Sequence, residues 1–170
     1  MVADEPAPPV AASASDALEI ATDWGGVLFL VNALTRLDIA DRLADEPDGP
    51  TGWRVLHDLA FALGLPPDEP IAGFLQGQDT ATATPPDWIA SLLRDLAGLY
   101  EADGPWPMPL AQPGRLIATE THLDLHLAAR TIDIDLRLAG LDFDPGWVPW
   151  LGRVIAFHYD EMPVHLARSR

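Results

Sequence analysis

Residues 140–160 read G-L-D-F-D-P-G-W-V-P-W-L-G-R-V-I-A-F-H-Y-D, and no other stretch limits the fold so tightly. Asp144, Pro145, Gly146 and Trp147 have the makings of a β-turn. Pro145 presets φ at the second position, Gly146 permits positive φ at the third, and Asp144 can bond the backbone from the first. Trp147 and Trp150 flank Pro149, which predicts a stiff, extended segment that Gly152 breaks. Arg153 to Tyr159 is then β-branched and aromatic, the composition of a strand. The two indoles have two readings. They can close over a core, or Trp147, Pro149 and Trp150 can form a partner-binding surface, since Trp is over-represented at interfaces.

A second strand signal lies upstream. Ile117, Thr119, Thr121, Leu123, Leu125 and Leu127 occupy odd positions; Leu116, Ala118, Glu120, His122, Asp124 and His126 occupy even ones. Period two predicts one long, half-buried strand over residues 115–127. Residues 131–138 (T-I-D-I-D-L-R-L) alternate as well. Yet Thr131 could cap a helix, and Gly140 followed by Leu141 has the form of a helix C-cap with its hydrophobic contact.

The front half reads as helices. After Trp24-Gly25-Gly26, the residues Val27, Leu30, Val31 and Leu34 recur at helical spacing, and Phe29 and Leu37 widen the stripe, so this helix should be buried. The glycine pair suits close backbone packing better than a phosphate loop, which would want a lysine and a fuller motif. A short helix follows over residues 38–43, then a turn-rich loop over 45–50. Thr51 is a candidate N-cap for residues 53–63, with Gly64 as the stop. Leu56, Leu59, Ala60 and Leu63 form its apolar face, and His57 is expected on the solvated side with Arg54 and Asp58. A short helix is expected at 71–75, a polar loop at 77–84, and a helix at 88–100 with proline in its first turn and a stripe of Trp88, Leu92, Leu96 and Leu99. Residues 101–114 read as an ordered crossing loop, and 17–21 as a short edge strand or the start of a helix.

Composition excludes more than it selects. Of 170 residues, 48% are apolar, enough to build one domain. There are 26 acidic and 10 basic residues, a formal net charge of −16. Every basic residue is Arg. Such a surface repels phosphate backbones and anionic membranes, so neither nucleic-acid binding nor membrane insertion is expected. With no Cys, thiolate metal sites and Cys nucleophiles drop out. With no Lys, so do Schiff bases and P-loop chemistry. Ser13, Ser15, Ser91 and Ser169 are the only serines, none in G-x-S-x-G. No G-x-G-x-x-G follows a strand. The N-terminus carries neither a basic nor an apolar signal region, so a cytoplasmic protein is expected.

Two constellations remain. On a strand, His122, Asp124 and His126 share one face, each about 7 Å from the next. Two imidazoles and a carboxylate can hold Zn²⁺ or Fe²⁺, the basis of a small metal-dependent enzyme. Alternating polar residues are equally what a solvated sheet face needs. Asp133 and Asp135, and Asp142 and Asp144, form two D-x-D pairs. Such pairs can bind Ca²⁺ or work as acid and base, but they also make turns and helix ends.

The runs T-H-L-D-L-H-L and R-L-A-G-L-D-F-D-P-G-W-V-P-W-L-G-R-V-I-A-F-H-Y, within residues 121–160, resemble the end of a poorly characterised family associated with bacterial extracellular contractile injection systems, which are phage-tail-like particles. W-G-G-V-L-F-L-V-N-A-L at 24–34 is similar to a segment in the same group. The resemblance carries no catalytic residue. It tilts residues 132–139 toward a short helix, and it implies a non-catalytic assembly component, with no cofactor, that binds protein components of such a particle and is cytoplasmic or incorporated into it. The expected architecture is a single α+β domain over residues 17–160. Four to five short helices would pack on a small antiparallel sheet made by 115–127 and 153–159, with tails at 1–16 and 161–170.

Overall fold

The computed structural model describes residues 17–79, 83–99, 110–128 and 134–160. The most apolar run of the chain is its centre. Gly25–Phe29 forms a 3-10 turn that continues into α1 (Leu30–Arg36). Val27, Leu28, Phe29, Leu30, Val31, Ala33 and Leu34 are all fully buried. A helix apolar on every side belongs inside a core. Phe29 meets Phe157 of the sheet edge to face, ring centroids 5.2 Å apart. A Cβ on Gly25 would stand 3.1 Å from both the Gln112 carbonyl oxygen and Leu125 Cδ1, so the backbone enters the core pressed against the strands.

Around it stand α2 (Ile39–Asp45), α3 (Gly52–Ala62), α4 (Pro70–Gly77) and α5 (Pro86–Leu99). Thr51 caps α3 as expected. Its hydroxyl accepts from the Arg54 amide at 3.3 Å and donates to the Asp79 carboxylate. Gly64, at φ +101°, ends the helix. The Gly64 amide donates to Phe61 O and the Leu65 amide to Ala60 O, each at 3.0 Å, which satisfies carbonyls the helix leaves open. On α5, Leu92 and Leu96 are buried and Trp88 packs beside them.

The sheet has five strands: β1 (Leu18–Thr22), β2 (Gly114–Ala118), β3 (His122–Ala128), β4 (Gly146–Val148) and β5 (Arg153–Asp160), in the order β1-β2-β3-β5-β4. With six α-helices among the described residues, the class is α+β, as expected. Two details differ from the sequence reading. Residues 115–127 are two strands, not one. The inward side chains are Leu116 and Ala118 in β2 but Leu123, Leu125 and Leu127 in β3. An unbroken strand cannot shift its buried phase by one residue, so the chain turns back. The Thr119 amide donates to His122 O at 2.9 Å, with Glu120 and Thr121 at the tip. The sheet is also mixed. β3 and β5 run parallel, from His122 opposite Val154 to Ala128 opposite Asp160, while the other three pairings are antiparallel.

A parallel neighbour requires a crossover. Here the segment after β3 supplies α6 (Ile134–Leu138) and β4 before β5 begins. Gly140, at φ +65°, closes α6: its amide donates to Arg137 O and the Leu141 amide to Leu136 O, each at 3.0 Å. Leu136 and Leu141 are both buried. Residues 134–138 are therefore helix, and the Gly140-Leu141 signal was the correct one. Thr131, most of the 101–114 crossing loop and both tails lie outside the described residues.

One polar cluster ties the helical layer together. Asp58 on α3 accepts from Arg54 Nε at 2.9 Å and, through the same Oδ2, from the Thr84 amide at 2.8 Å. Its Oδ1 lies 2.8 Å from His57 Nδ1. His57, expected on the solvated side, is instead largely covered and packs its ring at a tilt against Phe61, with centroids 4.6 Å apart. Burial raises the Asp58 pKa, but the bonds from Arg54, His57 and Thr84 outweigh it and hold the carboxyl below its ordinary 3.8. A depressed carboxyl stabilises the fold above that ordinary value, and the contribution disappears as pH falls through the folded value. Asp58→Asn should therefore cost about 1–3 kcal/mol at neutral pH, with the gap from wild type narrowing in acid; urea melts at pH 7 and pH 3 measure it. Gly52 gives a second test. A Cβ there would clash with the Trp150 carbonyl oxygen, so Gly52→Ala should destabilise by about 1–3 kcal/mol in the same melts.

Candidate functional site

The Trp-Pro-Trp segment is not extended throughout. Trp147 and Val148 belong to β4, and residues 149–152 are the loop of the β4–β5 hairpin. Val148 O accepts from the Leu151 amide at 3.1 Å and the Gly152 amide at 2.9 Å. These bonds close the chain back on Val148, so Pro149 initiates the turn rather than prolonging the strand. Gly146 and Gly152 both have positive φ, at +67° and +64°. The Asp144 carboxylate, expected to bond its own turn, instead accepts from the Phe157 amide on β5 at 2.6 Å. Residues 144–147 are not the expected turn: Asp144 and Pro145 lead straight into β4, and the Asp144 bond braces that entry against the sheet.

The two indoles differ in burial. Trp150 packs partly buried against the core, over Gly52 at the start of α3, and its Nε1 donates to Thr35 Oγ1 at 3.3 Å. Trp147 is 59% exposed. Pro149 is exposed between them. Together with Pro145 and the α1–α2 corner, these residues line an open groove of about 290 Å³, whose far side carries Asp38 and Asp41.

α1 holds this region in place from below. Asn32, the one polar residue in the buried run, donates from Nδ2 to Leu141 O at 2.8 Å and to Phe143 O at 2.7 Å. Arg36 donates to Ala139 O at 2.6 Å and Gly140 O at 3.1 Å. These two side chains fasten the segment between α6 and β4. The sequence did carry a signal for Asn32, a lone amide inside an apolar helix, which has to find partners.

The D-x-D residues do not converge on an acid–base pair. Asp133 lies outside the described residues, and Asp135 stands in the first turn of α6. Asp142 is buried. Its Oδ2 accepts from Arg137 Nε at 3.0 Å, Arg137 Nη2 at 2.8 Å and the Tyr159 hydroxyl at 2.9 Å, while its Oδ1 has no partner among the described residues. Arg137 also lies over the Tyr159 ring, 5.2 Å from the centroid. Burial, and then the bond to Asp142, push the Tyr159 hydroxyl pKa well up; the same carboxylate raises that of Arg137. The cluster locks α6 to the end of β5.

On the outer face of the sheet, His122, Asp124 and His126 do share one side, as the alternation predicts, but each turns to its own neighbour. His122 Nδ1 lies 2.8 Å from Thr121 Oγ1. Asp124 pairs with His158 Nε2 at 2.8 Å, and His126 Nδ1 with Asp160 at 3.0 Å. The His126 and His158 rings stack, centroids 4.6 Å apart. The parallel register of β3 and β5 puts these two histidines side by side. Among the described residues no group of three His, Asp or Glu side chains is placed to hold a metal ion. No helix among them is long and apolar enough to cross a membrane.

Comparison with protein-family models, curated proteins and solved structures finds no match to the chain. The geometry therefore has to carry the functional reading. It predicts that the indoles separate under mutation. Trp150→Ala opens a half-buried site and should cost about 2 kcal/mol, whereas Trp147→Ala should change stability by less than about 0.5 kcal/mol. Chemical denaturation of the two variants tests the division.

Proposed function

We propose that this protein is a non-catalytic interaction component that binds another protein through the surface formed by α6, the following segment and the β4–β5 hairpin. One observation carries the reading. Among the described residues five large apolar side chains are exposed, and four come from the stretch 134–147: Ile134 at 72%, Leu138 at 81%, Phe143 at 59% and Trp147 at 59%. Soluble domains scatter such residues; several in one segment, on a rigidly held backbone, is the pattern of an interaction site. The support beneath is stiff, because Asn32, Arg36, Asp142 and Asp144 all fasten this segment, so little ordering entropy is lost on binding.

The biological setting we propose rests on the resemblance of residues 24–34 and 121–160 to proteins associated with phage-tail-like contractile injection particles. The partner would then be a protein component of such a particle, met in the bacterial cytoplasm during assembly. The resemblance falls largely on the segments that build and support the surface. The test is affinity purification of the tagged protein from its native host, with mass spectrometry of what accompanies it. Sheath, tube or baseplate proteins should co-purify with wild type and be lost from Phe143→Ser combined with Trp147→Ala, a variant that should still fold. Retention of the same partners by that variant would place the interaction elsewhere, and co-purifying proteins of unrelated function would sink the particle assignment.

A further inference from the structure

We infer that the groove between the β4–β5 hairpin and the α1–α2 corner receives a cationic side chain, most simply an arginine in a basic segment of the protein partner. The inference rests on the interaction reading above and gives the partner a chemistry.

Three observations carry it. First, the groove is a Trp-Pro cleft with an anionic rim. Pro145, Trp147, Pro149 and Trp150 face Asp38 and Asp41 across about 290 Å³. A guanidinium is the side chain that suits both walls, stacking its plane on an indole while its N–H fork reaches a carboxylate. Second, both rim carboxylates are unspent. Asp38 is the N-cap residue of α2, a position where Asp ordinarily accepts from the first-turn amides, yet its side chain makes no such bond. Its main-chain carbonyl takes the Asp41 and Arg42 amides instead, at 3.1 and 3.3 Å. Asp38 has φ +52°, the only positive φ outside glycine among the described residues, and is exposed. Asp41 is exposed too, and neither has a cationic partner among the described residues. The nearby Arg36 cannot easily serve, since its guanidinium is held by the carbonyls of Ala139 and Gly140. Third, the chain as a whole carries 26 acidic against 10 basic residues, so long-range attraction favours a basic partner segment. The Trp150 indole N–H is already satisfied by Thr35, which leaves its ring rather than its donor for a ligand.

Generic attraction to so acidic a protein has to be told apart from a site. The probe is an uncharged-terminus peptide, acetyl-Gly-Arg-Gly-Arg-Gly-amide, compared with the same peptide carrying citrulline, the neutral isostere of arginine. The readout is the set of indole N–H signals in a ¹H–¹⁵N spectrum of the full chain, assigned through Trp→Phe variants. The arginine peptide should shift Trp147 saturably and leave Trp53 unmoved, and the citrulline peptide should not. Asp38→Asn with Asp41→Asn should weaken binding about tenfold, the scale of one charge-assisted pair. Asp45→Asn with Glu46→Gln removes the same charge from the far end of α2 and should change it by less than about twofold. Asn accepts positive φ, so the first pair should keep the fold.

Equal weakening by both pairs, or equal shifts from the citrulline peptide, would overturn the site and leave only non-specific attraction or stacking. An unmoved Trp147 would overturn it as well. The two readings fail separately. If Phe143→Ser with Trp147→Ala abolishes co-purification while Asp38→Asn with Asp41→Asn does not, the interaction surface stands and the cation inference falls.

Discussion

Everything in this fold leans on the burial of residues 25–34. That run is apolar on all sides, so it cannot lie on a surface; it has to be enclosed by the sheet and the other helices. Each fully buried Val, Leu or Phe contributes on the order of 1.5–3 kcal/mol relative to exposure, and seven such residues, counting one Ala, lie in this short piece. The enclosure also explains the conspicuous glycines at its entry. Gly25 passes so close to Gln112 and Leu125 that a larger residue would push the helix off the sheet. The one polar side chain admitted, Asn32, is admitted because it can be satisfied, and satisfying it fixes the segment that carries the exposed apolar residues. Core and surface are thus linked through a single amide.

The second constraint is the parallel pairing of β3 and β5. Antiparallel neighbours could have been joined by a tight turn, but a parallel pair needs chain to travel back along the sheet. The returning chain contributes α6 and β4, and it is too short to form a second layer with a core of its own. Among its described residues, Leu136, Leu141, Val148 and Leu151 reach the core as large side chains. Among the described residues no element covers Ile134, Leu138, Phe143 and Trp147, which stay exposed. The exposed apolar segment is therefore a topological consequence, and the Asp142–Arg137–Tyr159 cluster is what prevents it from lifting away.

Much of this was legible in the residues. Signals that depend on local backbone chemistry read correctly: Thr51 as a cap, Gly64 and Gly140 as stops, Pro86 in a first turn, and Leu92 and Leu96 as a core stripe. Those motifs act within a few residues, so the sequence contains their whole cause. What failed was anything set by distant partners. The 115–127 pattern alternates on both sides of Thr119–Thr121, and only the switch of apolar residues from even to odd positions marks the hairpin. His57 looked solvated because Phe61 and Asp58 are one helical turn or less away, and no sequence rule says the 84 region will arrive to cover them. Trp147 and Trp150 are chemically identical and differ only in what stands opposite. Gly52 admits one of them to the core; nothing in the hairpin itself distinguishes the two. The parallel register of β5 had no signature at all, since a β-branched strand pairs either way.

The two polar faces of the molecule illustrate how unspent interactions point to function. The outer face of the sheet is rich in ionisable groups, yet they answer one another: Asp124 with His158, Asp160 with His126, Glu19 with Arg115. A surface that satisfies itself gains little by binding, because each internal contact must be given up before a new one forms. The hairpin side differs. There the carboxylates of Asp38 and Asp41 have no cationic partner among the described residues, and Trp147, which lines the same groove, is exposed. Water satisfies the acids, but the indole has only the cost of exposure. Binding at that side can gain apolar burial and charge pairing together without first breaking an internal bond. That asymmetry, more than the amount of charge on either face, is why we propose the hairpin and not the histidine-bearing sheet as the interaction surface.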